Sequence, residues 1–339
     1  MAKFGSLASF IMSTFVLISC SEDIKDPEDQ ALVPDNNIAA TSVWSLEDVP
    51  IADAVVMENR FPQAEIQFAS GVVGLPDMLY TQLNGYRQLR LDMYLPPDRN
   101  TAHPMIMYIH GGGWQGGHSR NSGAFDNWPA TLAMIASRGY VVTSINYRLG
   151  GEERFPAAIH DVKTALRWLR ANAEEYGIDK DKFLVWGASA GGHLAALAAT
   201  TCNVEELAPP NLPDNLAVES DCVQAAIGWY GLYDLPAMTQ QRGAANAYFA
   251  GLEIIASPTT YVDPTDGPFL LIHGTRDSIA DPSQSINFND QLISNGVSSS
   301  LYMITDVEHS YIGETPAVTR AASLHALELS IEFIQDVFK

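Results

Sequence analysis

The sequence places a serine between two glycines where an apolar run meets a helical pattern, and this junction strongly limits the possible folds. Phe183–Trp186 is the apolar run, and Gly187 and Gly191 stand two residues either side of Ser189. A residue on a tight turn from a strand into a helix adopts strained dihedrals, and glycines beside it remove clashing Cβ atoms. The turn would raise the hydroxyl above the sheet, towards the positive end of the helix.

Short apolar runs alternate with longer helical patterns through the rest of the chain. The alternation predicts an α/β fold, with a mostly parallel sheet and helices on both faces. One helix is predicted after Pro156 and a last one over Val318–Phe338. The predicted strands are Glu65–Ser70, Gln88–Leu95, Pro104–Ile109, Tyr140–Tyr147, Phe183–Trp186, Val223–Trp229, Phe269–Ile272 and Ser300–Ile304. We place this single domain at residues 46–339.

A glycine-rich loop, His110-Gly111-Gly112-Gly113-Trp114, follows one of these strands. Consecutive glycines let backbone N–H groups converge on one point, where they could stabilise the negative oxygen of a tetrahedral intermediate. We predict Gly111 and Gly112 as two such donors and Ala190, after the serine, as a third. Phosphate binding is the alternative for this loop, but no G-K-[ST] or G-x-G-x-x-G pattern accompanies it. His110 is expected to hold the loop by hydrogen bonds.

An acid and a base are expected later in the chain, in the order serine, acid, histidine. Asp277 stands just beyond the strand Phe269–Ile272, and His309 follows the final strand. An imidazole there could accept the Ser189 proton, and a carboxylate on its other nitrogen would fix the tautomer. The other acids considered are Asp234, Asp281, Asp306 and Glu308. The other histidines are His103, His110, His118, His160, His193, His273 and His325.

Taken together, these residues resemble the α/β-hydrolase esterases of the bifunctional feruloyl and acetyl-xylan esterase-like family. The resemblance runs from about Phe68 to the C-terminus. Its further marks are Leu91-Asp92-Met93-Tyr94-Leu95-Pro96, Asn146-Tyr147-Arg148-Leu149, Phe155-Pro156-Ala157-Ala158-Ile159-His160-Asp161 and Trp229-Tyr230-Gly231. It implies hydrolysis of carboxylic esters through an acyl-enzyme, with no metal or organic cofactor. Short-chain esters, or acetyl and feruloyl esters of plant polysaccharides, are the expected substrates.

The substrate pocket is less strongly specified by the sequence. Trp114 and Tyr230 are predicted to contact substrate, with Trp128 and Trp229 as further aromatic candidates. The stretch Asp234–Val262 is too short for a large lid, so a small cap or none is expected. Two alternatives stay open. One is an amidase-, formamidase- or peptidase-like activity on the same scaffold, and the other is a non-catalytic surface lipoprotein.

The N-terminus has the pattern of an export signal. An apolar stretch follows Lys3 and ends at Cys20, in the arrangement Leu17-Ile18-Ser19-Cys20, which resembles a bacterial lipobox. Residues 1–19 are therefore predicted as a signal peptide, Cys20 as the lipidated residue and residues 20–45 as an acidic tether. This predicts an exported, membrane-anchored lipoprotein, periplasmic or at the cell surface. Its oligomeric state is not predicted.

Cysteine count and charge add two further expectations. Once Cys20 is set aside, Cys202 and Cys222 form an even pair, which favours a disulfide in an exported protein. Two free thiols are the alternative. The formal net charge of −21 disfavours nucleic acid as a partner, because an acidic surface repels phosphate backbones.

Overall fold

A nine-stranded sheet forms the centre of the protein in the computed structural model, which describes residues 63–242 and 246–339. The predicted signal peptide, Cys20, the tether and residues 46–62 of the predicted domain lie outside the described residues. In chain order the strands are β1 Ile66–Gln67, β2 Val73–Thr81, β3 Leu89–Leu95, β4 His103–Ile109, β5 Val141–Ile145, β6 Ile178–Ala188, β7 Ala225–Trp229, β8 Phe269–Gly274 and β9 Ser299–Ile304.

Neighbouring strands lie in the order β1-β2-β3-β5-β4-β6-β7-β8-β9. The pairs from β5 through β4, β6, β7 and β8 to β9 are parallel, and β1, β2 and β3 extend the β5 edge with antiparallel pairing. The prediction of a mostly parallel sheet is confirmed. Because the carboxyl ends of parallel strands meet at one edge, loops after β4, β6, β8 and β9 are brought together there.

Helices cover both faces of the sheet, as predicted. The helices are α1 Trp128–Ala136, α2 Ala157–Ala171, α3 Ala173–Tyr176, α4 Ala190–Thr200, α5 Asp214–Ala217, α6 Leu235–Arg242, α7 Ser283–Ser294 and α8 Pro316–Val337. Successive residues of β4 pack into different helix layers. Met105 and Met107 join the cluster that contains residues of α2, α4 and α7. Ile106 and Tyr108 join the cluster that contains residues of α1 and α8.

Strand β2 is the strand of the described sheet that the sequence prediction missed. Pro76 and Gly74 interrupt its apolar pattern, and both residues disfavour a strand interior. The ladder between β2 and β3 shifts register between Leu75 and Met78, and Asp77 between them has a φ of 56°. The Asp77 N–H donates to the Asp92 carboxylate at 2.9 Å. A side chain on the neighbouring strand therefore satisfies the irregular backbone, and no local pattern reveals it.

The disulfide between Cys202 and Cys222 is present, which confirms that pairing. It joins the end of α4 to the segment before β7, and basic residues of α2 bind the same region. Lys163 donates to the Thr201 carbonyl at 2.6 Å, and Arg170 donates to the carbonyls of Ser220 at 2.8 Å and Cys222 at 2.5 Å. We call the disulfide, the segment before β7 and the basic side chains of α2 that bind this region the clamp.

The connection between β7 and β8 contains α6 and a short 3₁₀ turn at Pro258–Thr260 among its described residues. No large inserted domain occurs in this described part, in agreement with the expectation of a small cap. Within residues 63–242 and 246–339, no helix has the length and apolar character needed to span a bilayer.

Candidate active site

Ser189 lies on the turn between β6 and α4, in the strained conformation that its neighbouring glycines predict. Its φ and ψ are 55° and −120°. A Cβ at Gly187 would overlap the Gly191 carbonyl, and one at Gly191 would overlap the Ile109 carbonyl. The Ser189 N–H donates to the Trp229 carbonyl at 2.8 Å, so neighbouring strand β7 helps to hold the turn. The turn thus requires glycine on both sides for close packing.

Three side chains that are distant in sequence meet at the carboxyl edge of the sheet. His309 Nδ1 lies 2.7 Å from Asp277 Oδ2, and His309 Nε2 lies 2.9 Å from Ser189 Oγ. A carboxylate can only accept, so Nδ1 carries the proton and the Nε2 lone pair faces the serine hydroxyl. The structure therefore brings together the predicted nucleophile, base and acid, in the geometry that serine activation requires.

The Asp277 carboxylate is fully buried and fully hydrogen-bonded. Oδ1 accepts the N–H groups of Ile279 at 2.9 Å and Ala280 at 2.8 Å. Burial by itself would raise the pKa of Asp277, but hydrogen bonds from His273 and His309 outweigh it, and its pKa lies well below the usual range. The group therefore remains a carboxylate at neutral pH, which keeps the Nδ1–H tautomer of His309.

The other candidate acids have different roles. Asp234 Oδ1 accepts the Ala237 N–H at 2.9 Å at the start of α6, and Asp281 Oδ1 accepts the Ser283 N–H at 2.9 Å at the start of α7. Both carboxylates thus act at helix N-termini, where negative charge is favoured. Glu308 accepts the Ser278 N–H at 3.1 Å.

The loop after β4 lies directly against the nucleophile turn. A Cβ at Gly111 would lie 2.7 Å from the Ala188 carbonyl, and Gly112 has a φ of 121°. Gly111 and Gly112 line the same cavity as Ser189, and Ala190 is the first residue of α4. The first N–H groups of a helix have no partner within it, so that of Ala190 is free of the helical ladder. The structure places all three predicted donors next to the serine.

His110 holds the glycine loop through its side-chain contacts. Its Nδ1–H donates to the Gly111 carbonyl at 2.7 Å, and its ring stacks on Tyr147 with centroids 4.4 Å apart. Burial lowers the pKa of His110 to about 4, so the ring is neutral at neutral pH. These contacts match the structural role expected from the sequence.

A cavity of about 450 Å³ opens above Ser189 and His309. Trp114 and Tyr230 both line it. Trp114 is fixed by its Nε1–H, which donates to His193 Nδ1 at 3.1 Å, and the Tyr230 ring meets the His309 ring edge-on at 4.8 Å. Trp128, in α1, and Trp229, in β7, instead belong to the buried cluster that contains residues of α1 and α8.

Sequence reasoning missed several residues of the site. His273 contacts the Asp277 carboxylate at 3.1 Å, and its spacing of four residues from Asp277 is the only local signal. Asn121, Ser122 and Gly123 line the cavity from a loop without a recognisable pattern. Among residues 63–242 and 246–339, no cluster of three or more His, Cys, Asp or Glu side chains has the geometry of a metal site.

The doubly covered sheet with this serine turn defines an α/β-hydrolase fold. The BD-FAE family model matches residues 91–292, and the chain belongs to this family. Esterase LipC of Mycobacterium tuberculosis is 34% identical over 217 residues, which are 60% of this chain and 51% of LipC. Esterase LipQ of the same organism is 31% identical over 242 residues, which are 67% of this chain and 55% of LipQ. The chain thus spans about half the length of these relatives.

A solved structure described as a truncated form of a carbohydrate esterase from gut microbiota is similar over most of its length. The two chains are 25% identical with a TM-score of 0.64, and the match covers 78% of this chain and 95% of the other.

Proposed function

We propose that this protein is a serine esterase that hydrolyses carboxylic esters through an acyl-enzyme. The arrangement that carries the proposal is the hydrogen-bonded series Ser189, His309, Asp277 beside the glycine loop. Membership of the BD-FAE family and relatives named esterases support the same conclusion.

In the first step, Ser189 Oγ attacks the ester carbonyl carbon and His309 Nε2 takes the hydroxyl proton. The C–O bond to the alcohol then breaks as Nε2–H protonates the leaving oxygen. In the second step, water attacks the acyl-enzyme, His309 again takes a proton, and the carboxylic acid leaves as Ser189 regains its hydrogen. Asp277 stabilises the imidazolium formed in both steps.

The negative oxygen of each tetrahedral intermediate is placed against the N–H groups of Gly111, Gly112 and Ala190. Such donors stabilise the charge that develops in the transition state more than the neutral carbonyl. Each contributes on the order of 3 kcal/mol in related acyl transfer.

The substrates we propose are short-chain esters and acetyl or feruloyl esters of polysaccharides. A cavity of about 450 Å³ accommodates a small acyl group, and Trp114 and Tyr230 supply aromatic walls. The similarity to a structure described as a carbohydrate esterase favours a sugar-linked ester.

Replacing Ser189 tests the reaction. Ser189→Ala should reduce hydrolysis of p-nitrophenyl acetate by about 10⁴-fold or more while the protein stays folded. Ser283→Ala, at the start of α7, serves as the matched control and should retain activity. Full activity in a folded Ser189→Ala protein would refute the assignment.

A substrate panel then separates the possible specificities. Acetylated xylan, methyl ferulate and p-nitrophenyl esters of increasing chain length are compared with aryl formamides. We expect the highest kcat/KM among the acetyl or feruloyl esters. Faster turnover of the formamides would instead indicate the amidase-like alternative.

We also propose that the protein is exported and anchored by a lipid on Cys20. The proposal depends on the lipobox-like Leu17-Ile18-Ser19-Cys20 and the acidic residues after it. Expression of a Cys20→Ala variant of the full chain should move the protein from the membrane fraction to the soluble fraction. Unchanged membrane association would contradict it.

A further inference from the structure

His273 is a fully buried histidine that the reaction above leaves without a role. It lies in β8, four residues before Asp277, and its side chain is 0% exposed. Its Nε2 is 3.1 Å from Asp277 Oδ2 and 2.9 Å from the Ala280 carbonyl, and its Nδ1 is 2.7 Å from Ser285 Oγ. It does not line the cavity above Ser189.

The partners of His273 fix where its proton lies. A carbonyl oxygen only accepts, so the contact with Ala280 requires a proton on Nε2. That N–H is shared between the Ala280 carbonyl and Asp277 Oδ2. In the neutral ring, Nδ1 accepts the Ser285 hydroxyl proton, so α7 sets the orientation of the ring.

Asp277 consequently has every acceptor position occupied. Oδ1 receives the N–H groups of Ile279 and Ala280, and Oδ2 receives those of His309 and His273. An ionised carboxylate has about four such positions, and here protein donors fill all of them without water. Removing the His273 donor would leave Oδ2 with His309 alone, and the carboxylate could rotate.

We propose that His273 is a positioning residue for the esterase reaction proposed above, on which this inference rests: it holds Asp277 Oδ2 in line with His309 Nδ1. The donor acts through Asp277 and touches neither substrate nor the reacting atoms. Its loss should therefore lower kcat and leave KM nearly unchanged, because the orientation of His309 is altered and the cavity is not.

The test measures kcat and KM for p-nitrophenyl acetate across pH. His273→Leu removes the donor, and we expect kcat to fall about 10- to 100-fold with KM within about twofold. His273→Gln retains an N–H near the position of Nε2, and it should keep kcat within about threefold of the original.

The pH profile separates positioning from general stability. Besides His273, the titratable groups that face Asp277 are His309 from the turn after β9, Tyr230 after β7, and Tyr311; Glu308 accepts the N–H of the next residue, Ser278. None of these groups is changed in His273→Leu. The ionised form of Asp277 loses a donor, however, which raises the pKa of its carboxyl. We expect the acid limb of kcat to move to higher pH in this variant alone.

His103→Leu is the matched control. The ring nitrogens of this histidine lie 3.0 Å from the Gly139 carbonyl and 2.9 Å from the Asp98 carbonyl, at the amino end of β4 and away from the site. We expect a loss of stability with unchanged kcat and pH profile. A folded His273→Leu protein with the same profile as the original, or equal losses in His273→Leu and His273→Gln, would overturn the proposal.

Two further measurements keep the test decisive. If His273→Leu does not fold, Ser285→Ala replaces it, with an expected loss of about threefold in kcat since the ring loses its anchor; no change would overturn the proposal. The proton between His309 Nδ1 and Asp277 is expected to give a far-downfield NMR resonance, and its measurement requires no turnover. Its shift in His273→Leu, or in Ser285→Ala, supports positioning even if no ester is hydrolysed, and an unmoved resonance contradicts it.

Discussion

The two ends of α4 hold polar groups of opposite character. At its start, Ser189 and His309 face a cavity, and their hydrogen bonds leave room for a substrate. At its end, the clamp satisfies its charges internally: Lys163 is 1% exposed, Arg167 binds Asp221 at 2.6 Å, and a disulfide closes the region.

The comparison leads us to propose that one helix separates reactivity from stability. Groups at the cavity are held in position by neighbours, and Ser189 and His309, the proposed nucleophile and base, keep one side open to a reactant. Charged groups in the clamp bind one another and backbone carbonyls, so we expect their contribution to be structural. We therefore expect substitutions at the start of α4 to affect rate and those at its end to affect folding.

The largest effect on rate short of the nucleophile itself is expected at Asp277. Asp277→Asn should lower kcat by about 10³- to 10⁴-fold, because an amide favours the wrong His309 tautomer. Steady-state hydrolysis of p-nitrophenyl acetate measures it. Asp281→Asn is the control at a helix start and should stay within about twofold. A large loss of kcat in both variants would contradict the different roles proposed for Asp277 and Asp281.

The glycine loop should show the next largest effect. Gly112→Ala places a Cβ against the Gly116 carbonyl at a φ of 121°, so the loop must move and its N–H donors with it. We expect kcat to fall about 10²- to 10³-fold. Gly151→Ala, where nothing lies within 4 Å of the added carbon, should retain activity. Normal activity of Gly112→Ala would argue against the assigned donors.

In the clamp we expect the opposite result, a loss of stability with little change in rate. Replacing both Cys202 and Cys222 by Ser should reduce the free energy of unfolding by about 3 kcal/mol, from loop entropy in the unfolded chain. Urea titration measures the change, and kcat should remain within about twofold. A fall in activity with unchanged stability would contradict the proposal that the start of α4 affects rate and its end affects folding.

The smallest effect expected concerns stability at low pH. The pKa of Asp277 is lower in the folded state than in the unfolded chain, so its ionisation stabilises the fold above the unfolded pKa, and that stability is lost as pH falls. Between about pH 5 and pH 3, the original protein should therefore lose more free energy of unfolding than Asp277→Asn. Parallel urea titrations at both pH values make the comparison. Equal losses would contradict the low pKa.

The sequence alone predicted the elements whose signals are local. Glycines around Ser189, the glycine loop after β4 and the apolar runs of the parallel strands each depend on a few neighbouring residues, so their pattern carries the information. Strand β2 was missed because its irregular backbone is satisfied by Asp92 from another strand.

Chain order and strand position selected Ser189, Asp277 and His309 from many candidates, since every parallel strand ends at the same edge. Tertiary structure alone decided the second histidine on Asp277 and the cavity residues 121–123. It also placed the further candidates Trp128 and Trp229 in the core, away from the cavity that Trp114 and Tyr230 line. The reason is physical. These contacts join groups far apart in the chain, and their distances are set by how helices and strands pack, which no short stretch of sequence specifies.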